Sequence, residues 1–130
     1  MPIQKALIID TPHIDRILRG EKTWEMRSTK TQQRGRVALI RKGSGQVIGT
    51  VSIVGCRGPL SRDEMLAAHA KHRIDSARIE SGAVDKWKYA WEVADPVLLP
   101  QPVPYVHPAG AVIWVNLDET VCAAVEREGC

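Results

Sequence analysis

Length, composition and charge describe one ordinary globular domain. The chain has 130 residues, enough to bury a single hydrophobic core. Hydrophobic residues make up 44% of it and charged residues 25%, proportions that exclude a disordered or fibrous protein. The formal net charge of +3 is mildly basic, so it favours a polyanionic partner only weakly.

The ends and the cysteines indicate a cytoplasmic protein without a membrane partner. The sequence shows neither a secretory leader nor an apolar segment of bilayer-spanning length. Cys56, Cys122 and Cys130 are odd in number and have no short metal-ligand spacing, which fits a reducing compartment. Their roles are incidental, or Cys56 is a redox-sensitive thiol.

The first element predicted in chain order is a short helix over residues 13–18. Thr11 is suited to cap its N-terminus, and Pro12 suits its first turn. Gly20 can end it in a left-handed conformation. The next segment therefore leaves directly from a helix C-terminus.

That next segment, residues 20–28, carries the strongest functional signal of the chain. Its alternation predicts a strand with an apolar face, Trp24 and Met26, and a polar face, Thr23, Glu25 and Arg27. Glu25 and Arg27 are about 7 Å apart between Cα atoms in a strand, within ion-pairing reach. Lys22 is expected at the mouth of this strand.

Residues 34–54 predict a β-hairpin. Arg34-Gly35-Arg36 leads into an apolar run over residues 37–40, a turn over residues 41–45 and a second strand over residues 46–54. Basic side chains are concentrated in and before this hairpin: Arg27, Lys30, Arg34, Arg36, Arg41 and Lys42. They are either a phosphate-binding surface or a solvated edge whose charge prevents strand association.

The remaining elements are predicted as follows. Residues 55–60 form a connection, the capping box Ser61–Glu64 starts a helix that runs to about His72, and a second helix covers residues 75–81. A strand over residues 86–93 precedes an edge strand or extended loop with prolines at 96, 100, 102, 104 and 108. Residues 111–117 form the last strand, and residues 118–130 form a helical tail that frays at its end.

These features resemble the ASCH domain, a relative of the PUA fold. The resemblance rests on Pro12, Ile17, Gly20, Lys22-Thr23, Glu25, Arg27 and Arg34-Gly35, extends to Pro104–Val115, and so covers residues 3–117. It implies an α+β fold, a small PUA-like β-barrel with flanking short helices, as one domain over residues 1–117. It also implies a cleft on the Lys-Thr-x-Glu-x-Arg strand and a nucleic-acid-related role.

Similar proteins are described as RNA-binding, as single-strand ribonucleases and as amidohydrolases that act on acylated cytidine. In the amidohydrolase branch, the pattern has a threonine where this chain has Glu25, and a lysine that matches Lys22. Taken over these three groups of similar proteins, the resemblance implies RNA or a nucleoside as the partner.

Two interpretations of the polar strand remain open. In the first, Glu25 forms a structural ion pair with Lys22 or Arg27. In the second, Glu25 and Lys22 perform acid–base chemistry, and Lys22 and Arg27 stabilise the negative charge that develops in the reaction. A third function, a non-catalytic reader of RNA, needs the same residues as hydrogen-bonding and phosphate-holding groups. The predicted catalytic residues are Lys22, Glu25 and Arg27. The predicted nucleic-acid contacts are Thr23, Ser28, Arg34, Arg36, Lys42, Tyr89 and His107.

Aromatic and histidine side chains offer further candidates. Trp87, Tyr89 and Trp91 share a face of the strand predicted over residues 86–93 and could stack on bases, although burial is favoured for the two tryptophans and for Trp24 and Trp114. His107 is a general acid or base, or bonds the backbone.

His69 and His72 have a zinc-compatible helical spacing. A third ligand is missing, so neither metal nor cofactor is expected.

Overall fold

The computed structural model describes residues 3–129 as a curled sheet of six strands, a half-barrel, with five short helices. The strands are β1 (Lys5–Ile9), β2 (Trp24–Arg27), β3 (Gly35–Arg41), β4 (Gln46–Arg57), β5 (Tyr89–Pro104) and β6 (Trp114–Asn116). The helices are α1 (His13–Leu18), α2 (Arg62–Ala67), α3 (His69–His72), α4 (Ser76–Glu80) and α5 (Glu119–Glu128). The predicted α+β class is confirmed.

The strand order in the sheet is β2-β5-β4-β3-β1-β6. Neighbouring strands are antiparallel except for β1 and β3, which are parallel. α1 and β2 lie between β1 and β3 in the chain, so this crossover brings the end of β1, α1 and the polar strand close together. Within residues 3–129, no helix combines the length and the apolar character needed to cross a bilayer.

Three apolar clusters fill the fold. The first lies on one face of the sheet and contains Leu7, Leu39, Val51 and Trp91. The second lies on the other face, where α5 covers the strands and Val125 is fully buried. The third lies between β2 and the helices α2 to α4.

β2 alternates as the sequence predicts. Trp24 and Met26 are buried in the third cluster, against the helices. Glu25 and Arg27 point to the opposite face, where Glu25 lies across from Trp91 of β5. The polar face of this strand is therefore turned towards the interior of the half-barrel, beside the first cluster.

The predicted cap of α1 is wrong, whereas its predicted end is confirmed. The helix starts without a side-chain cap because Pro12, not Thr11, occupies the N-cap position; the Thr11 hydroxyl instead accepts a hydrogen bond of 3.0 Å from Arg41. Arg41 also forms a two-pronged ion pair with Asp15 of α1, at 2.7 and 2.8 Å. Gly20 has φ +78°, the left-handed conformation expected at the helix end.

The helix predicted from the capping box to His72 is divided in two. Ser61 and Glu64 form the capping box, but the helix breaks at Ala68, where φ is −105° and ψ is 21°. The break lets His72 enter the core, where its Nδ1 accepts from the backbone N–H of Ile74 at 2.9 Å. Its Nε2 therefore carries the proton and donates to the Met65 carbonyl at 2.6 Å.

This bonding pattern rules out His72 as a zinc ligand, since neither ring nitrogen is free. Burial lowers the pKa of His72, consistent with a neutral ring. Within residues 3–129, no group of three or more His, Cys, Asp or Glu side chains is arranged to hold a metal ion.

Several strand boundaries differ from the prediction. β4 continues to Arg57 through register shifts against β5, so the expected connection begins three residues later. β5 begins at Tyr89, which leaves Trp87 outside the strand, so the three aromatics do not share one face. Of the strand predicted over residues 111–117, only the three residues of β6 form a regular strand.

The proline-rich segment and the C-terminal helix follow the prediction more closely. Beyond the short stretch that pairs with β2, β5 pairs with β4 alone as far as Pro104, so Pro96, Pro100 and Pro102 lie in an edge strand. α5 has Asp118 as its N-cap. Cys130 of the predicted tail lies outside the described residues.

Gly49 of β4 generates a stability prediction. A Cβ at this position would lie 2.8 Å from the Val97 carbonyl oxygen and would also collide with the Leu18 side chain. Leu18 can rotate, but the β5 backbone must shift, so Gly49→Ala should lower the free energy of unfolding by about 1 to 3 kcal/mol. Urea denaturation measures this change.

The control is Val54→Ala, on the same strand at a side chain that is 58% exposed. It should change the free energy of unfolding far less. Equal losses for the two variants would show that the close approach at Gly49 is unimportant.

Candidate functional site

A cleft of about 370 Å³ opens where β1, α1, β2 and α4 meet. It is lined by Ile8, Asp10, His13, Lys22, Glu25, Met26, Arg27, Lys42, Ile74, Arg78, Val84, Trp87 and Val112. All three residues predicted to be catalytic are among them. The Lys-Thr-x-Glu-x-Arg strand thus lies at the cleft, as the sequence predicts.

Lys22, Glu25 and Arg27 form a buried charge cluster. The Glu25 Oε2 atom accepts from Arg27 Nη2 at 2.9 Å, and Lys22 Nζ lies 4.0 Å from Glu25 Oε1. The side chains of Lys22, Glu25 and Arg27 are 1%, 9% and 17% exposed. The predicted ion pair is therefore present, and it is shielded from solvent.

Lys22 is buried rather than standing at the mouth of the strand. Its backbone N–H donates to the Arg16 carbonyl at 3.1 Å, which ties the residue to the last turn of α1. Its Nζ donates to the His72 carbonyl at 2.5 Å. Burial lowers the pKa of Lys22 from 10.5 to about 8, although the nearby Glu25 raises it.

Arg27 connects the cluster to the rest of the half-barrel. Its Nη2 donates to the Ile8 carbonyl at 2.8 Å as well as to Glu25, and its guanidinium lies 5.5 Å from the centre of the Trp91 ring. Its Nε is buried and has no hydrogen-bond partner. Such a nitrogen costs folding free energy, so this geometry is not the one that stability alone would select.

His13 is a cleft residue that the sequence analysis missed. Its Nδ1 is the other buried side-chain nitrogen within residues 3–129 that lacks a hydrogen-bond partner. Burial, and then the charge of Lys22, lower its pKa, so the ring is neutral at pH 7. A signal was available, because His13 and the buried Ile17 are four residues apart and share a helix face.

The residues predicted to bind nucleic acid are dispersed. Lys42 is exposed and lines the cleft. Thr23 is exposed and is not part of the cleft lining; its backbone N–H donates to the Lys71 carbonyl, and its carbonyl accepts from the Val93 N–H. Ser28 is exposed and outside the lining, and Arg34 donates to carbonyls of its own loop, at Gln33 and Thr31.

Arg36, Tyr89 and His107 also lie outside the cleft lining. Arg36 is engaged across the sheet with the Thr50 and Ser52 hydroxyls and the Asp95 carbonyl. Tyr89 lies across from Arg27 but packs on the first apolar cluster.

His107 bonds the Tyr105 hydroxyl at 2.7 Å and the Ala111 carbonyl at 2.9 Å. The backbone bonding considered for His107 is present, and its role as a general acid or base stays a prediction.

The tryptophans divide between core and cleft. Trp24 and Trp91 are buried, as predicted, and Trp114 is half-buried and stacks on Trp91 with ring centres 5.9 Å apart. Trp87 is only half-buried and lines the cleft, which corrects its predicted burial. The Lys86 ammonium lies 4.6 Å from the centre of its ring.

Comparison with known proteins identifies the fold. No curated protein matches the chain. The crystal structure of ASCH from Zymomonas mobilis is similar, with a TM-score of 0.70 at 11% identity over 95% of this chain and 93% of that chain. A tyrosine-to-phenylalanine mutant of the Zymomonas mobilis protein gives 0.71 at 11% identity over 98% of each chain.

A more distant similarity is to the YTH domain of Zygosaccharomyces rouxii MRB1 in complex with N6-methyladenosine RNA, with a TM-score of 0.51 at 10% identity over 95% of this chain and 85% of that chain. Identities this low show the fold alone. The sequence model of the ASCH domain matches residues 7–101, which is most of the chain. The chain therefore belongs to the ASCH domain family.

Proposed function

We propose that the cleft holds either one unpaired base of a bound RNA strand or a free nucleoside. The observation that carries this proposal is the buried cluster of Lys22, Glu25 and Arg27 on the cleft wall. Structural stability gives a poor reason for it, since buried ion pairs are often no better than apolar residues of the same volume. The unpartnered nitrogens of His13 and Arg27 add a further cost.

The cleft offers the groups that base recognition needs. Lys22 and Arg27 can donate to carbonyl oxygens, and Glu25 can accept from an exocyclic amine. Trp87 provides an aromatic surface on which a base can stack, a contact that contributes about 1 to 3 kcal/mol. The volume of about 370 Å³ lies in the usual range of small-molecule pockets, about 300 to 1,000 Å³.

Two cations at the cleft are suited to the RNA backbone. Lys42, after β3, and Arg78, in α4, are both exposed and both line the cleft. Cations of this kind hold phosphates and position a strand without reading its sequence. Because side chains cannot read the narrow major groove of an A-form duplex, and a base that is stacked and paired cannot enter a cleft, the cleft should take bases from single strands. The YTH domain of similar fold, which is in complex with RNA, is consistent with this role.

Hydrolysis is a second candidate function, favoured by the pKa of about 8 for Lys22. A neutral Lys22 amine can take the proton from water that attacks an acyl carbon, as in N4-acylcytidine, or from a ribose 2′-hydroxyl that attacks a phosphate. Arg27 would stabilise the oxygen that becomes negative, and protonated Lys22 would return the proton to the leaving group. Glu25, bonded to Arg27, would position that guanidinium.

The burial of Lys22 predicts a pH-dependent stability. The folded-state pKa of about 8 lies below the unfolded value of 10.5, so the unfolded chain binds more protons between these two pH values. Stability should therefore rise with pH across that window, by about 3 kcal/mol in all. The measurement is the difference in free energy of unfolding between the wild type and Lys22→Met.

The free energy of unfolding of the wild type should rise relative to that of Lys22→Met as the pH increases from 8 to 10.5. Lys30→Met, at an exposed lysine, is the control and should show a constant difference. A constant difference for Lys22→Met as well would mean that Lys22 keeps an ordinary pKa in the folded protein.

Binding is tested by a matched pair of glutamate variants. Glu25 pairs with Arg27 at the cleft, and Glu92 pairs with Arg57 outside it at 3.0 Å. Glu25→Gln should weaken the affinity for single-stranded RNA about tenfold or more, because a charge-assisted hydrogen bond is lost. Removing a negative charge would by itself strengthen RNA binding, so this weakening would identify a specific contact.

Glu92→Gln removes the same charge away from the cleft and should not weaken the affinity. Duplex RNA should bind more weakly than single strands at the same salt concentration. Lys42→Ala should reduce the log–log salt slope by about 0.7, the effect of one lost phosphate contact. Thermal unfolding confirms that each variant is folded. Equal effects of the two glutamate variants, or equal affinity for duplex and single strand, would overturn the proposal.

Hydrolysis is tested with single-stranded RNA and N4-acetylcytidine as substrates, with and without EDTA. If Lys22 is the base, kcat should rise with pH to a plateau with a midpoint near the Lys22 pKa of about 8. Lys22→Met should reduce kcat by roughly 10² to 10⁴. Turnover that survives Lys22→Met would exclude Lys22 as the base, and a wild type without turnover would leave base recognition as the function of the cleft.

A further inference from the structure

A second cavity, of about 410 Å³, lies next to the cleft. It is lined by Pro59, Leu60, Ser61, Arg62, Glu64, Met65, Ile79, Val84, Asp85, Trp87 and Lys88. Val84 and Trp87 line both spaces. These two residues therefore form the partition between the cleft and the second cavity.

The partition is suited to flat ligands. Val84 is buried, so Trp87 is the larger exposed part of it. Trp87 precedes β5, and its backbone N–H donates to the Val84 carbonyl at 3.0 Å, which fixes the turn that carries the ring. An indole held in this way can stack on a base without losing much conformational freedom.

The second cavity combines an apolar floor with a charged rim. Leu60, Met65 and Ile79 belong to the third apolar cluster or pack against it. Arg62 and Lys88 lie at the rim and are exposed, and Arg62 pairs with Asp85 at 2.6 Å. An apolar floor suits the face of a base, and exposed cations suit the phosphate that links it to the next nucleotide.

We propose that the second cavity binds the nucleotide that adjoins the one in the cleft, so that Trp87, which borders both spaces, lies at the step between two successive nucleotides of a single strand. This inference rests on the proposed function, because it assigns the second cavity to the same RNA strand. It makes the recognised unit a dinucleotide. The cation of its phosphate contact, Lys88, lies far along the chain from the basic hairpin, whereas Arg62 at the same rim is engaged with Asp85.

The test compares a uridine mononucleotide with the dinucleotide UpU. For the wild type, UpU should bind about tenfold more tightly or better, because one more base is stacked. Lys88→Glu should remove most of this gain and leave the affinity for the mononucleotide nearly unchanged. Arg127→Glu is the matched control, on the exposed surface of α5, and should preserve the gain.

Leu60→Trp, which narrows the second cavity only, is a second variant and should also remove the gain. Equal affinity for the two ligands, with the mononucleotide still sensitive to Glu25→Gln, would overturn this inference and keep the proposed function. A gain that survives both Lys88→Glu and Leu60→Trp would place the second nucleotide elsewhere and also overturn it. If neither ligand binds, both proposals fail.

Discussion

The burial of Glu25 between two cations is the constraint on which the cleft depends. Arg27 is tied to the Ile8 carbonyl of β1, and Lys22 is tied to the His72 carbonyl of α3. The cluster therefore connects β1, β2 and the helical layer through hydrogen bonds that single out one geometry. Charged groups held in this way are positioned before a ligand arrives, so binding loses little free energy in ordering them.

β2 makes this arrangement possible because its two faces serve two different neighbours. Trp24 and Met26 pack on the helices, and Glu25 and Arg27 turn towards the sheet interior. The strand is only four residues long and lies at the edge of the sheet, so the helices supply the packing that a second neighbouring strand would give. The cleft forms where this helical layer meets the half-barrel, and its charges are shielded for that reason.

Features set by near neighbours in the chain could be predicted from the sequence. The alternation of β2, the ion pair of Glu25 with Arg27, the capping box at Ser61 and the left-handed Gly20 each depend on a few consecutive residues. The burial of Lys22 could not be predicted, because it depends on a carbonyl fifty residues away. For the same reason the break at Ala68, which follows from the core bonding of His72, overrode a local helix pattern.

The basic side chains show most clearly that contacts between distant parts of the chain cannot be predicted from the sequence. The basic hairpin is a single cluster in the sequence, but Arg36 is engaged with Thr50, Ser52 and Asp95, and Arg41 is paired with Asp15. A formal charge contributes to a binding surface only if its side chain is not already used within the fold.

The cations that remain at the two cavities come from separate elements: Lys42 after β3, Arg78 in α4 and Lys88 before β5. With a formal charge of only +3 in total, the protein cannot rely on a dense phosphate-binding surface. In the proposed function, selectivity for RNA comes mainly from the contacts that the buried cluster and Trp87 make with bases.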